Sequence, residues 1–216
     1  MEKRIARAQI IMFPGGFSAG DEPEGSGKFI ATLFRNPVLA QALEDLLYKR
    51  DGLVLGICNG FQALIKLGLL PYGYIQPLNA YSPTYNTIGR HLSRMVDTKI
   101  VSVMSPWFSN AKTGDIHTLA VSHGEGRFVA SVEQIYELAA KGQIATQYVA
   151  PDGAATYDSM YNPNQSVMAV EGITSPDGRV FGKMAHTERY TGETSFKNIS
   201  GNKMQPIFAA GVAYFE

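Results

Sequence analysis

Short apolar runs alternate with helical-period stretches through the first third of the chain. Residues 8–13 (Ala-Gln-Ile-Ile-Met-Phe) form a brief, mostly apolar run closed by Pro14-Gly15-Gly16, the pattern of a buried parallel strand. A loop rich in Gly, Ser, Asp, Glu and Pro follows over 17–27. Helical stretches are predicted over 28–34 and 37–49, the second with Asn36 as N-cap and Pro37 at its first position. The apolar run 53–57 predicts another strand. The helix predicted over 59–67 is stopped by Gly68 and Pro71. Strand, helix, strand, helix implies a parallel sheet with helical crossovers.

The middle of the chain is less regular. Residues 72–92 are rich in Gly, Pro, Tyr and Asn and read as a long loop, more often functional than idle. Strands are predicted at 95–104, 116–122 and 144–149. The amphipathic stretch 132–140 reads as a helix with Ser131 as cap. Strands at 166–173 and 179–184 flank Thr174-Ser175-Pro176-Asp177-Gly178, a hairpin turn. A polar stretch at 191–202 precedes apolar residues at 205–215. No repeat or composition shift marks a second domain, so residues 1–216 read as one.

Composition narrows the function classes. The 216 residues are enough to bury a sizeable core. Lys+Arg and Asp+Glu are both 19, which offers no basic surface for nucleic acid and none for a membrane. No apolar run approaches the ~20 residues of a membrane span, and the N-terminus lacks the apolar core of a signal peptide. The single cysteine cannot form an internal disulfide, which fits a cytoplasmic protein and leaves a thiol for chemistry. The four histidines and one cysteine fall at no standard metal-ligand spacing, so no metal is expected.

That cysteine, Cys58, stands in Gly56-Ile57-Cys58-Asn59-Gly60-Phe61-Gln62, where an apolar run meets a helical one. Gly-x-Cys-x-Gly at a strand-to-helix junction is the pattern of a nucleophile elbow, with cysteine in place of serine. The turn is sharp, and side chains on either flank would collide with the converging strand and helix. The helix N-terminus favours thiolate. Most free cysteines are small buried hydrophobes; the flanking glycines favour the nucleophile.

A cysteine nucleophile needs a base, and the base an orienter. His186-Thr187-Glu188 offers both just past the hairpin's second strand. On an extended segment a spacing of two points both side chains the same way. A lone histidine is more often structural; its pairing with Glu188 at a strand end reverses that balance. Backbone N–H groups at Gly16 or Phe17, with that of Asn59, suit an oxyanion hole. Ser122-His123-Gly124-Glu125-Gly126 is a polar cluster after a strand; reading a small polar substrate and forming a solvated turn both suit it.

Pro14-Gly15-Gly16-Phe17-Ser18, Gly56-Ile57-Cys58-Asn59-Gly60-Phe61-Gln62 and His186-Thr187-Glu188 together resemble class I glutamine amidotransferases. With Ser122-His123-Gly124-Glu125-Gly126-Arg127-Phe128, Asn162-Pro163-Asn164 and Gly172-Ile173, nearly the whole chain resembles the glutaminase domain of phosphoribosylformylglycinamidine (FGAM) synthase, in purine biosynthesis. The resemblance implies a class I glutamine amidotransferase-like (flavodoxin-like) α/β fold. That is a three-layer α/β/α architecture with a mostly parallel sheet and a C-terminal β-hairpin carrying His-x-Glu. It implies Cys58 as nucleophile, His186 as base and Glu188 as its orienter. Gly16 and Asn59 would hold the oxyanion, and Phe17, Gln62, Ser122, His123, Gly124 and Glu125 would surround L-glutamine. Ammonia would pass to an FGAM synthetase domain or subunit, which would bind ATP and Mg; this chain would hold no cofactor.

Two departures accompany the resemblance. The family domain carries a strand, helix and strand before Pro-Gly-Gly, which here arrives at Pro14. The chain therefore reads as N-terminally truncated, with an exposed edge or apolar face, and self-association or low stability is expected. Thr187 stands where the family commonly has proline, which should leave the His-x-Glu geometry intact. Two further readings remain open: a DJ-1-like cysteine hydrolase, and an inactive docking fragment of the synthase whose segments 20–28 and 72–92 contact the synthetase.

Overall fold

In the computed structural model, residues 1–16, 27–76, 90–192 and 194–216 are described, with the backbone alone of 82–85. Helix α1 (Glu2–Ile5) leads into β1 (Ile10–Phe13), followed by α2 (Lys28–Phe34), α3 (Pro37–Lys49), β2 (Leu53–Ile57), α4 (Asn59–Leu67) and α5 (Leu69–Tyr72). Next come β3 (Ser82–Tyr85), β4 (Leu92–Ile100), β5 (Ile116–His123), β6 (Glu125–Val129), α6 (Val132–Ala140) and β7 (Ile144–Val149). The hairpin β8 (Val170–Thr174) and β9 (Val180–Lys183) precedes a last helix, α7 (Ile207–Ala213). Among the described residues no helix is long and apolar enough to cross a membrane.

Local chemistry explains the helix starts. The Asn36 side chain accepts the Val38 N–H at 3.0 Å with Pro37 at the first position of α3, and Leu39, Leu43, Leu46 and Leu47 turn that helix's apolar stripe inward. Ser131 and Gln134 form a complete capping box on α6. Helix α4 is buried almost all round, Lys66 excepted, and ends at Gly68 with φ +84°.

The main sheet runs β1-β2-β9-β8-β7-β4-β5. Only β1/β2 and β2/β9 are parallel; β9/β8, β8/β7, β7/β4 and β4/β5 are antiparallel. The expected mostly parallel sheet is therefore corrected to a mixed one. Helical crossovers build the β1–β2 side, where the strand-helix alternation was read. Beyond it β4 returns as β5, and β8 as β9, without a crossover, which makes antiparallel neighbours.

A second, two-stranded sheet pairs β3 with β6 antiparallel, inside a stretch expected to be loop. Ser-Pro-Thr-Tyr carries no apolar alternation to announce it; the remainder of 77–89 lies outside the described residues. Strand limits also shift. The strand expected at 95–104 is Leu92–Ile100, and that expected at 166–173 opens with a 3-10 turn at Val167–Ala169 before β8.

Strand β9 shows how the faces are filled. Phe181 packs edge-on against Phe108, ring centroids 4.8 Å apart. The next residue, Gly182, points the other way, where Phe61 of α4 and Leu70 of α5 occupy the space of a side chain. Gly56 on neighbouring β2 likewise yields its space to Leu64 of α4. On the opposite face the Pro106–Phe108 turn carries Trp107 against Gly211 of α7. Helices thus cover both sides of the sheet, and α4 lies close over the strands that carry the candidate site.

Candidate active site

Cys58 sits between β2 and α4 with φ 52° and ψ −108°, a sparsely populated conformation for a non-glycine residue. Three constraints hold it there. Its N–H donates to the Lys183 carbonyl at 2.8 Å, tying the elbow to the end of β9. A Cβ on Gly56 would lie 2.5 Å from Leu64, and a Cβ on Gly60 would strike the Phe13 carbonyl. The glycines flanking the cysteine are there because backbone and side chains converge on both.

The thiol is 6% exposed and donates to the Ser122 carbonyl at 3.7 Å. Burial pushes its pKa up to about 11, against the pull of the Asn59 and Gly16 N–H groups and of Arg189; Glu188 adds to the rise. The expectation that the helix N-terminus would favour thiolate is corrected here: burial outweighs it, and the resting sulfur is protonated.

His186 is 3% exposed and anchored by its N–H to the Ala120 carbonyl at 2.8 Å. The segment after it is a 3-10 turn, Thr187–Arg189, rather than extended chain. The turn still brings His186 Nδ1 to 2.5 Å from Glu188 Oε1. In the neutral ring that bond places the proton on Nδ1 and leaves Nε2 as the acceptor. Nε2 is buried and has no hydrogen-bond partner. Burial tends to raise the Glu188 carboxyl, but the His186 hydrogen bond and charge, helped by Lys183, bring it below the usual carboxylate value. Gly15 lies between base and nucleophile: a Cβ there would meet His186 Cε1 at 2.5 Å and Cys58 Cβ at 3.2 Å. Cysteine and imidazole therefore flank one backbone strip with no room for a side chain between them.

A pocket of about 150 Å³ opens on this pair, lined by Cys58, His186, Gly16, Asn59, Gln62, Ser122, His123, Gly124, Glu125 and Arg189. All the sequence-predicted site residues line it except Glu188, which stands behind His186, and Phe17, which lies outside the described residues. Gln62 is buried and donates from Nε2 to the Glu125 carbonyl at 2.5 Å, fixing the far wall. Ser122 Oγ shares a hydrogen bond with His91 Nε2 at 3.0 Å. Burial, with His91 and His186 nearby, lowers His123 to about 4, so it is neutral near pH 7. Gly16, at φ +108°, has no atom of the described residues within 4 Å of where a Cβ would stand.

Arg189 was not singled out from the sequence. Its place directly after His186-Thr187-Glu188 is the signal that would have found it. Asn162 and Asn164 are buried behind the wall rather than in it. Asn164 Nδ2 donates to the Gly126 carbonyl at 2.7 Å and Asn162 Nδ2 to that of Ser166 at 3.0 Å, which braces β6 and with it Glu125. Among the described residues no three His, Cys, Asp or Glu side chains come together as metal ligands would.

Comparison with known proteins gives the chain's family. Residues 1–215 match the family described as the CobB/CobQ-like glutamine amidotransferase domain. The phosphoribosylformylglycinamidine synthase subunit PurQ of Aquifex aeolicus is 33% identical over 188 residues, 87% of this chain and 75% of that protein. The Methanococcus maripaludis protein of the same name is 35% identical over 192 residues, 87% and 68% of the respective chains. Among solved structures, PurLQS from Thermotoga maritima superimposes with a TM-score of 0.70 at 25% identity, covering 96% of this chain and 80% of that one. The glutaminase domain of Trypanosoma brucei CTPS, at 15% identity and TM-score 0.51 over 98% and 74%, shares the fold alone. An elbow cysteine, a histidine held by a carboxylate and a sheet of this topology thus occur in a chain matched almost end to end, and it belongs to the CobB/CobQ-like glutamine amidotransferase family.

Proposed function

We propose that this chain is the glutaminase of a phosphoribosylformylglycinamidine synthase. It hydrolyses L-glutamine to glutamate and delivers the ammonia to a synthetase partner for the ATP-dependent conversion of formylglycinamide ribonucleotide to its amidine. The observation that carries the chemistry is the His186 ring: one nitrogen lies 2.5 Å from Glu188, the other is buried without a hydrogen-bond partner, and the ring lines one pocket with Cys58. The relatives named PurQ and the fold match to PurLQS support the choice of synthase.

The steps follow from the protonation states. A thiol at about 11 is thiolate in only about one molecule in ten thousand at pH 7, so it must be deprotonated as it attacks. His186 Nε2 takes the Sγ proton while sulfur bonds to the glutamine amide carbon. The oxyanion forms against the N–H groups of Gly16 and Asn59, the same donors that face the resting sulfur. His186 returns the proton to the departing nitrogen, and ammonia leaves with a thioester on Cys58. Water then attacks as His186 takes its proton, and glutamate leaves as the thiol is restored. Glu188 keeps the imidazole in the required tautomer and stabilises its cation. ATP and Mg belong to the synthetase partner in this reading.

Glutamate release from glutamine, measured for the chain alone and with its synthetase, tests the reading beside a Cys58→Ala control. Cys58-dependent release stimulated by the synthetase is expected. Folded protein with no release under either condition would overturn it in favour of a docking role.

A further inference from the structure

Beneath the triad lies a pair of charges that the chemistry does not use. Glu171 of β8 and Lys183, the last residue of β9, are both fully buried, with Lys183 Nζ 3.9 Å from Glu171 Oε1. Neither lines the pocket. Their hydrogen bonds converge on the segment that carries the base. Glu171 Oε1 accepts the N–H of Ala185 at 2.7 Å, and Lys183 Nζ donates to Thr187 Oγ1 at 2.9 Å. The two chain neighbours of His186 are thus held by opposite ends of one ion pair. The outer bonds complete the set: Thr146 Oγ1 donates to Glu171 Oε2 at 2.6 Å, while Lys183 Nζ and Thr187 Oγ1 donate to Gln205 Oε1 at 2.6 and 2.8 Å. Lys183 also reaches the nucleophile, since its carbonyl accepts the Cys58 N–H at 2.8 Å.

Burying two charges is costly, and an apolar pair of similar volume commonly serves stability as well or better. The rest of β8 and β9 is buried throughout, so the sheet has no need of charge at these positions. A buried, hydrogen-bonded polar cluster does what apolar packing cannot: it specifies one backbone arrangement through directional bonds. Thr187 belongs to it, because its hydroxyl both accepts from Lys183 and donates to Gln205.

We propose that Glu171, Lys183 and Thr187 are positioning residues, a buried clamp that fixes residues 185–188 against the elbow so that His186 Nε2 meets the Cys58 thiol. The proposal rests on the triad assigned above. Its test uses two variants of the chain assembled with its synthetase, Thr187→Val and the charge-balanced double variant Glu171→Ala/Lys183→Met, with Thr187→Ser as the conservative rescue. Three readouts are taken: kcat and KM for glutamine, the melting temperature, and the proton NMR resonance of His186 Nδ1–H, which a short bond to Glu188 moves far downfield. Thr187→Val and the double variant are expected to lower kcat about tenfold or more at nearly constant KM, as misplacement of a reacting group does. The His186 resonance should shift or broaden in both, and Thr187→Ser should restore rate and resonance together. Variants that keep the wild-type kcat and an unchanged resonance would overturn the clamp and leave the pair a structural feature only. If the double variant does not fold, Thr187→Val decides by the same criteria. A wild-type chain without glutaminase activity would sink the functional reading instead, and the resonance, which needs no turnover, would still judge the clamp.

Discussion

His186 Nδ1 lies 2.5 Å from Glu188 Oε1, although Glu188 belongs to a tight 3-10 turn that His186 caps and not to an extended strand. The carboxylate, 30% exposed at its side chain, reaches a ring whose other nitrogen is sealed from solvent. Substituting Glu188→Gln keeps the shape but allows the amide to present its N–H to Nδ1, which favours the wrong tautomer. Glutaminase kcat is expected to fall by about 10² to 10⁴, with a smaller change in KM. Steady-state kinetics in the synthetase complex checks this.

The protonated state of Cys58 sets a second expectation. With its pKa raised to about 11, the thiol should react slowly with iodoacetamide near neutral pH, its rate climbing only as pH approaches that value. The same shift links to stability. Between 9.0, the unperturbed thiol value, and about 11 the unfolded chain loses the proton while the folded one keeps it. Stability therefore falls as pH rises through that window, by about 2 kcal/mol at its far end. Cys58→Ala, which removes the group, should flatten the decline in denaturant midpoints measured from pH 9 to 11.

Acid should destabilise the fold through histidines. His117 and His123 are buried and lowered to about 4 from 6.5, by burial first and then by Lys183 for His117 and by His91 and His186 for His123. Below 6.5 the unfolded chain takes up protons that the folded chain refuses. Stability is then lost progressively as pH falls from 6.5 to about 4, on the order of 3 kcal/mol from His123. Urea titrations across this range should show the loss, and His123→Gln should reduce it.

What was legible in the sequence was what neighbours in sequence decide. The elbow announced itself because Gly56, Cys58 and Gly60 act within a few residues, and α3 because Asn36 and Pro37 cap it locally. Strand direction was not legible: β4, β5, β7 and β8 have the same apolar content whether parallel or antiparallel. β3 was missed because its polar residues pair with β6 and carry no period of their own. The helix N-terminus argued for thiolate, and only the tertiary burial of Cys58 reverses it. Lys183 and Glu171 read as charges in apolar strands, an anomaly visible in the sequence, but their convergence on residues 185–187 exists only in the folded chain.

Two glycines near the chemistry should fail in different ways when replaced. A Cβ at Gly60 would run into the Phe13 carbonyl, a backbone atom that cannot move without displacing β1 from β2. Gly60→Ala is expected to cost roughly 4 kcal/mol or more, seen as insoluble protein or a large fall in melting temperature. Gly16 meets no such obstacle among the described residues, but its φ of +108° disfavours any Cβ. Gly16→Ala should cost only about 1 kcal/mol in stability, yet it strains the backbone whose N–H faces the sulfur and the oxyanion. Its kcat should drop about a hundredfold or more if that amide turns away. Melting curves and glutaminase rates for the pair separate the roles: Gly60 keeps the elbow closed, and Gly16 aims a donor at the charge that the reaction creates.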